Sequence, residues 1–189
     1  LQRNPSEGCL WSCHGGDFQW DPPIQNDDGT YTPGAWTPPV DPNLCYHGYH
    51  LTDDPSKWWV GPVHRLRAYL VEFKGEVQGS FDSPMGSKIA VESCRLLRPL
   101  TAEELAGYNV FIEGEHTIKS SFREYPRSYV VLGKAILKEK GLTNENHIQA
   151  YEKSVVHVTK STVHARGDAT IYAYGDSVVY ALENSVVFA

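Results

Sequence analysis

The sequence predicts a mainly β protein, in which a small α+β head is followed by a β-solenoid, or β-helix-like, repeat tail. The first observation behind this prediction is a five-residue unit that recurs along residues 154–189, at a spacing of seven residues once and eight residues thereafter. The second is the alternation of side-chain type within each unit, which is typical of a strand. The third is the turn chemistry between units. The units are Ser154–Val158, Ser161–Ala165, Ala169–Ala173, Ser177–Ala181 and Ser185–Ala189.

The repeated unit predicts which side chains lie inside the solenoid. Positions one, three and five hold Ser or Ala, Val or Ile, and Ala or Val. Because alternate residues of a strand point to opposite faces, these small side chains indicate a narrow interior. The three longer linkers between units, at residues 166–168, 174–176 and 182–184, contain Gly, Asp or Asn, which supply turn chemistry. We therefore interpret Arg166-Gly-Asp168 as turn composition and not as an adhesion motif.

The start of the chain predicts loops with few regular elements. Residues 1–43 are rich in Pro, Gly, Asp and Trp, and their aromatic side chains indicate a loop layer that is pinned to a core. A short strand over Tyr49–Leu51 then leads to a helix that begins near Pro55. We expect Thr52 or Asp53 to be the N-cap of this helix.

Two longer strands and a second helix follow. Residues 65–75 and 87–97 alternate in polarity, so we expect two strands that are antiparallel neighbours. Thr101, followed three residues later by Glu104, forms a capping-box pattern that predicts a helix start. This helix is expected to end near Gly107.

The boundary between head and tail is predicted at residue 100. Residues 108–122 resemble loose strand units, so we expect the solenoid register to begin near Tyr108. Residues 129–140 fit either a strand or a helix. The predicted domains are therefore an α+β head over residues 1–100 and a β-solenoid over residues 101–189, with a short helical interruption.

Composition excludes several functional classes. The chain has 189 residues and a formal net charge of −6, whereas nucleic-acid-binding domains are normally basic. No apolar run reaches the ~18 residues of a membrane span, and no secretory apolar stretch opens the sequence. Four Cys do not form a dense disulfide framework. We expect a cytoplasmic or virion-associated protein.

The head motif and the tail repeats together resemble an uncharacterised family of phage and bacterial proteins. Members carry a Gly-Phe/Tyr-His motif in the head, two long strands, and a tail of Ser-Ala-Thr-Val-type repeats. The resemblance implies a phage or phage-derived setting, but no activity, because the function of the family is not established. The matching residues are Cys45-Tyr-His-Gly-Tyr-His50, Asp53-Asp-Pro55, residues 69–77, residues 88–100 and the repeats of residues 154–189.

Two head motifs are also similar to motifs of ADP-ribosyltransferase folds. They are Trp-Ser-Cys-His14-Gly and Gly-Tyr-His50. The similarity implies that His14 binds a nicotinamide ribose hydroxyl, that His50 stacks on the nicotinamide, and that Glu92 stabilises an oxocarbenium-like centre. His50 stands where Tyr is commoner, and Glu92 lacks the usual flanking pattern. The alternative is a loop histidine at position 14 and a hydrogen-bonded core histidine at position 50.

A structural zinc site is a further prediction. Cys9, Cys13, Cys45 and His47 supply four ligands of the right type, with short spacings inside each pair. Two alternatives stay open. The thiols are either small buried apolar groups, or Cys45 forms a disulfide with Cys9 or Cys13.

The outward aromatic positions of the repeat predict two ladders. With two units per coil, His157, Tyr172 and Phe188 share one face, and His164 and Tyr180 share the other. Such ladders indicate either a binding or assembly surface or simple stacking between coils.

These observations favour a structural or interaction protein. The head is expected to bind a partner, and the tail is expected to mediate assembly, through a protein partner or through self-association at the edge of its last coil. No cofactor is expected for that function. The alternative is an ADP-ribosyltransferase-like enzyme that uses NAD, and structural zinc is the alternative for a bound metal.

Overall fold

The chain is mainly β, as predicted, and forms two compact units. The computed structural model describes residues 2–3, 10–11, 18–44, 46–58, 67–81, 88–119, 127–140 and 146–189. The units are Leu1–Leu100, called the head below, and Thr101–Ala189, called the solenoid. No helix in the described ranges has the length and apolar composition needed to span a bilayer.

The head is built from short antiparallel strands around one longer sheet. Its strands form the sheets β1-β2-β3, β4-β5 and β6-β8-β7. The elements are β1 (Gln2–Arg3), β2 (Leu10–Trp11), β3 (Gln19–Trp20), β4 (Ile24–Gln25), β5 (Tyr31–Thr32), β6 (Tyr49–Thr52), α1 (Pro55–Trp58), β7 (Tyr69–Ser80) and β8 (Lys88–Pro99).

The predicted pair of long antiparallel strands is confirmed as β7 and β8. Their register breaks twice, between Leu70 and Val71 and between Lys74 and Val77. At the second break Gly75 has a φ of +81°, and a Cβ there would lie 2.9 Å from the Cβ of Glu92. Only glycine fits this irregularity without strain. One face of the sheet forms the core of the head, with Trp20, Tyr49, Ile89, Val91, Cys94 and Leu96.

An extended segment of the Pro-rich layer continues the sheet beside β6. The backbone N–H groups of Gly34, Thr37 and Val40 donate to β8 carbonyls at 2.9–3.0 Å. The loop layer is thus held by backbone hydrogen bonds as well as by its buried Trp20.

The first helix begins at Pro55, as predicted, but its N-cap is Asp54 and not Thr52 or Asp53. The carboxylate of Asp54 accepts the N–H of Ser56 at 3.2 Å, whereas Thr52 accepts the N–H of Asp54 at 3.0 Å. Pro55 occupies the first helical position, so the residue directly before it is the N-cap.

The solenoid consists of a capping helix and two parallel five-stranded sheets that make about four turns over residues 110–188. The odd-strand sheet has the order β17-β15-β13-β11-β9, and the even-strand sheet has the order β10-β12-β14-β16-β18. The elements are α2 (Ala102–Gly107), β9 (Val110–Phe111), β10 (Glu115–Lys119), β11 (Ser128–Val131), β12 (Ile136–Lys140), β13 (His147–Ala150), β14 (Val155–Val158), β15 (Thr162–Ala165), β16 (Thr170–Ala173), β17 (Val178–Ala181) and β18 (Val186–Phe188).

The capping box that opens α2 is confirmed. Thr101 Oγ1 accepts the N–H of Glu104, and the Glu104 carboxylate accepts the N–H of Thr101. The helix alternative for residues 129–140 is wrong. That segment forms β11 and β12, joined by a turn in which Gly133 has a φ of +57°.

The predicted narrow interior is also confirmed. Inward positions of the internal coils are fully or almost fully buried, and Val-, Ile-, Ser- and Ala-sized groups fill the space between the two sheets. Burying each Val or Ile side chain contributes about 1.5–3 kcal/mol. The buried residues of the last internal coils are Ser154, Val156, Val158, Ser161, Val163, Ala165, Ala169, Ile171 and Ala173.

Candidate functional site

The two predicted ring ladders exist, one on each sheet. On the even-strand sheet the ring centroids of His157 and Tyr172 lie 4.6 Å apart, and those of Tyr172 and Phe188 lie 5.0 Å apart. On the odd-strand sheet His164 and Tyr180 lie 4.9 Å apart. Each pair is stacked within 14° of parallel. Parallel in-register strands place the same position of each coil side by side, which produces the stacking.

Stacking between neighbouring coils therefore accounts for these three ring contacts. Such cross-strand pairs contribute about 0.2–1 kcal/mol each. A role of His157, His164, Tyr172, Tyr180 and Phe188 in binding stays a prediction.

The even-strand ladder carries little charge near neutral pH. Burial of the His157 ring and the nearby Lys138 ammonium hold the pKa of His157 below its usual value. Lys138 pairs with Glu115 at 2.7 Å on the neighbouring strand. The His157 ring is therefore mostly neutral at pH 7, which suits stacking on Tyr172.

The coil at one edge of the solenoid, residues 174–189 and called the edge coil below, exposes core positions. Val187 is 39% exposed, whereas Ile171, at the same inward position one coil earlier, is 0% exposed. The ladder residues Tyr180 and Phe188 are more than half exposed. Stacked repeats bury such positions only when a further layer covers them.

At the opposite end of the solenoid, a helix packs against the outermost strand of the odd-strand sheet. Helix α2 contacts β9, its Leu105 is buried, and its Ala106 packs against the solenoid core. The two ends of the described solenoid therefore differ: one carries a packed helix and the other an open coil.

The edge coil also has outward-facing backbone groups. The N–H of Val178 donates inward to the carbonyl of Ser161, just before β15, at 3.1 Å, and the N–H of Leu182 donates to Ala165 of β15 at 3.0 Å. Parallel strands alternate the direction of their amides, so the N–H groups of Val179 and Ala181 face the outer edge. The N–H of Val187 on β18 also faces the outer edge, because the N–H of the preceding Val186 donates inward to Ala169 at 2.9 Å. No strand of the described ranges pairs with this edge.

The predicted catalytic residues are only partly placed. His14 lies outside the described residues. His50 is on β6 and is paired with Ala90, two residues before Glu92 on β8. His50 is exposed, and its neighbour Tyr49 occupies the core. The alternative of a core histidine at position 50 is therefore wrong, because strand alternation turns His50 away from the apolar face.

Glu92 lies at a shallow pocket of about 310 Å³. One oxygen of its carboxylate accepts the N–H of Glu76 at 2.9 Å. His50 is not among the lining residues, so the pocket does not join the two predicted catalytic side chains. The pocket is lined by Pro39, Val40, Asp41, Pro42, Glu76 and Glu92.

The zinc ligand set is also only partly placed, because Cys9, Cys13 and Cys45 lie outside the described residues. His47 is exposed, and its Nδ1 lies 2.8 Å from the carbonyl oxygen of Asp41. Across the ranges that the structure describes, no group of three metal-ligating side chains occurs. Cys94 is buried beside Thr37, and burial raises the pKa of its thiol to about 12. The zinc, free-thiol and disulfide alternatives for Cys45 stay predictions.

Sequence reasoning missed a cluster on the head sheet. Lys74 Nζ and Arg95 Cζ lie 4.1 and 4.9 Å from the centre of the Trp36 ring. Arg95 also pairs with Glu72 at 2.7 Å. Strand alternation allows Glu72 on β7 and Arg95 on β8 to face each other. Trp36 lies beside them because its extended segment pairs with β8, where the N–H of Thr37 donates to Cys94.

No protein-family model, no curated protein and no solved structure matches this chain.

Proposed function

We propose that this chain is a structural or interaction protein that assembles through the edge coil of its solenoid. The open edge coil carries this proposal. Its inward position Val187 is exposed where the preceding coil buries Ile171 completely, and its outward N–H groups point away from the fold. An uncovered solenoid layer is a site at which another β-element adds favourably.

The head contributes a second interaction surface in this proposal. Strand β7 is the outer strand of its sheet in the described part of the chain. Apolar side chains along and just after it are 36–42% exposed. A partner that adds a strand to β7 would gain both backbone hydrogen bonds and apolar contacts. These side chains are Leu70, Phe73, Val77 and Phe81.

A phage or phage-derived setting, in the cytoplasm or in the virion, is part of the proposal. It is supported by the resemblance of the head motif and of the repeats described above. An assembly role fits that setting, because repeat tails often act as spacers or docking elements rather than catalytic units.

Site-resolved hydrogen exchange tests the proposal. We expect the outward amides of Val179, Ala181 and Val187 to exchange about tenfold or more slowly than in an unstructured peptide, because another element covers them. The inward amides of Val178 and Leu182 are the matched control in the same coil. Fast exchange of the three outward amides, with the inward ones protected, would show that nothing covers the edge and would contradict the proposal.

A further inference from the structure

We infer that the element covering the edge coil is the edge coil of a second copy, related by a two-fold axis. This inference rests on the function proposed above and names the partner of the same surface. Two copies joined in this way bury both exposed inward layers at once and leave neither edge unpaired.

The covered end of the solenoid decides against head-to-tail stacking. Joining the edge coil of one copy to the β9 end of the next would form an open filament. Helix α2 already occupies that end, with Leu105 buried and Ala106 against the core. Of the two described ends of the solenoid, the edge coil is the one without a packed helix, so we place the contact on the same surface of both copies.

The sequences of the edge strands β17 and β18 favour pairing with another strand and lack the residues that usually prevent it. Natural edge strands of monomers are commonly guarded by Lys, Pro or bulges. β17 reads Val178-Val-Tyr-Ala181 and β18 reads Val186-Val-Phe188, without a charge or a proline. Joining two such edges brings no like charges of the strands together.

The ladders supply a second reason for a matching partner. Tyr180 stacks on His164 on one side, and Phe188 stacks on Tyr172 on one side. In the described residues each has no stacked ring on its other side. A second copy brings its own Tyr180 and Phe188, and an antiparallel register centred on either position places two such rings side by side. A partner without such a ring leaves these ring faces uncovered.

The two-fold arrangement also satisfies the backbone. A two-fold axis perpendicular to the solenoid axis reverses the strand direction or exchanges the two sheets, and in both cases the joined strands are antiparallel. Antiparallel strands form the more stable ladder per residue. The outward N–H groups of Val179, Ala181 and Val187 are then the donors to the second copy.

Sedimentation over a range of protein concentrations tests this inference. We expect the mass to rise from 21.2 kDa to a plateau at twice that value. Ala181→Pro removes an outward N–H without removing the inward bonds of β17. Val187→Lys places a charge on each copy at the contact. Each is expected to weaken dimerisation by about tenfold or more, equivalent to about 1.4 kcal/mol.

His147→Lys is the matched control, because His147 is exposed on the internal strand β13, is not a ladder residue, and lies two strands away from the edge strand β17. It is expected to dimerise like the wild type. Circular dichroism checks that each variant is folded. If Ala181→Pro does not fold, the mass of Val187→Lys decides the outcome.

Four results would overturn the inference: a wild type of single-chain mass at every concentration, growth beyond two copies, loss of the dimer in His147→Lys, or full retention of the dimer in folded Val187→Lys. Protected edge amides in a molecule of single-chain mass would overturn the second copy as the partner, while the proposed docking role of the edge coil would stand. Unprotected edge amides would overturn both.

Discussion

At the scale of single residues, the two interior serines of adjacent repeat units have different environments. Ser154 and Ser161 occupy the same position of the unit, and both are at most 1% exposed. Ser161 Oγ donates to the Glu139 carboxylate and accepts the N–H of Asn146 at 3.3 Å. Ser154 Oγ has no hydrogen-bond partner among the described residues. The same residue is thus satisfied in one coil and not in the next.

This difference predicts opposite effects of one substitution. Ser161→Ala should lower the free energy of unfolding by about 1–3 kcal/mol, because it leaves buried polar partners without their bond. Ser154→Ala should be neutral or slightly stabilising, because it removes a buried hydroxyl that lacks a partner. Urea unfolding of both variants measures the effect. Equal losses would show that Ser154 Oγ has a partner in solution.

At the scale of elements, the turns that lead from the odd-strand to the even-strand sheet share one backbone conformation. Each holds a left-handed residue: Gly114, Gly133, Glu152, Gly167 and Glu183 have φ values of +56° to +78°. The Glu152 carboxylate accepts the N–H of Gly133 at 3.0 Å, and the Glu183 carboxylate accepts the N–H of Gly167 at 2.7 Å. A glutamate in this conformation is strained. The hydrogen bond to the preceding coil offsets the strain.

Replacing Glu152 separates the strain from the hydrogen bond. Glu152→Ala keeps the left-handed strain and loses the acceptor, so we expect a loss of about 1.5–3 kcal/mol. Glu152→Gly loses the same acceptor but relieves the strain, so its loss should be smaller by about 1 kcal/mol. The unfolding free energies in urea decide the order of the two variants. A glycine variant that is less stable than the alanine variant would contradict this account of the turn.

At the scale of the whole molecule, the alternative enzyme function makes a separate prediction. Under the assembly function we expect no NAD binding in calorimetry and no NAD turnover, because the pocket at Glu92 does not include His50. Turnover that is lost in Glu92→Gln and retained in Glu72→Gln would instead support the ADP-ribosyltransferase-like alternative. Glu72 is a suitable control, since it lies on the same sheet in an ion pair with Arg95 and does not line the pocket.

Much of the fold could be predicted because its signals are local. The alternation inside each repeat predicts the strands, the inward set and the division of the rings into two ladders, since position in a strand decides the face. The capping box at Thr101 and the pairing of β7 with β8 follow from short patterns as well. For residues 129–140 the local pattern fitted two structures, and pairing with neighbouring coils decided for strands.

Repetition and alternation were enough to predict that the tail is a solenoid with a Ser, Val and Ala interior, because both are properties of short segments. Three sets of contacts came from the folded chain alone. Helix α2 packs against β9, Glu152 and Glu183 bind the preceding coils, and Gly34, Thr37 and Val40 donate to β8. These contacts join residues that are distant in the chain, and no local period encodes which distant groups meet.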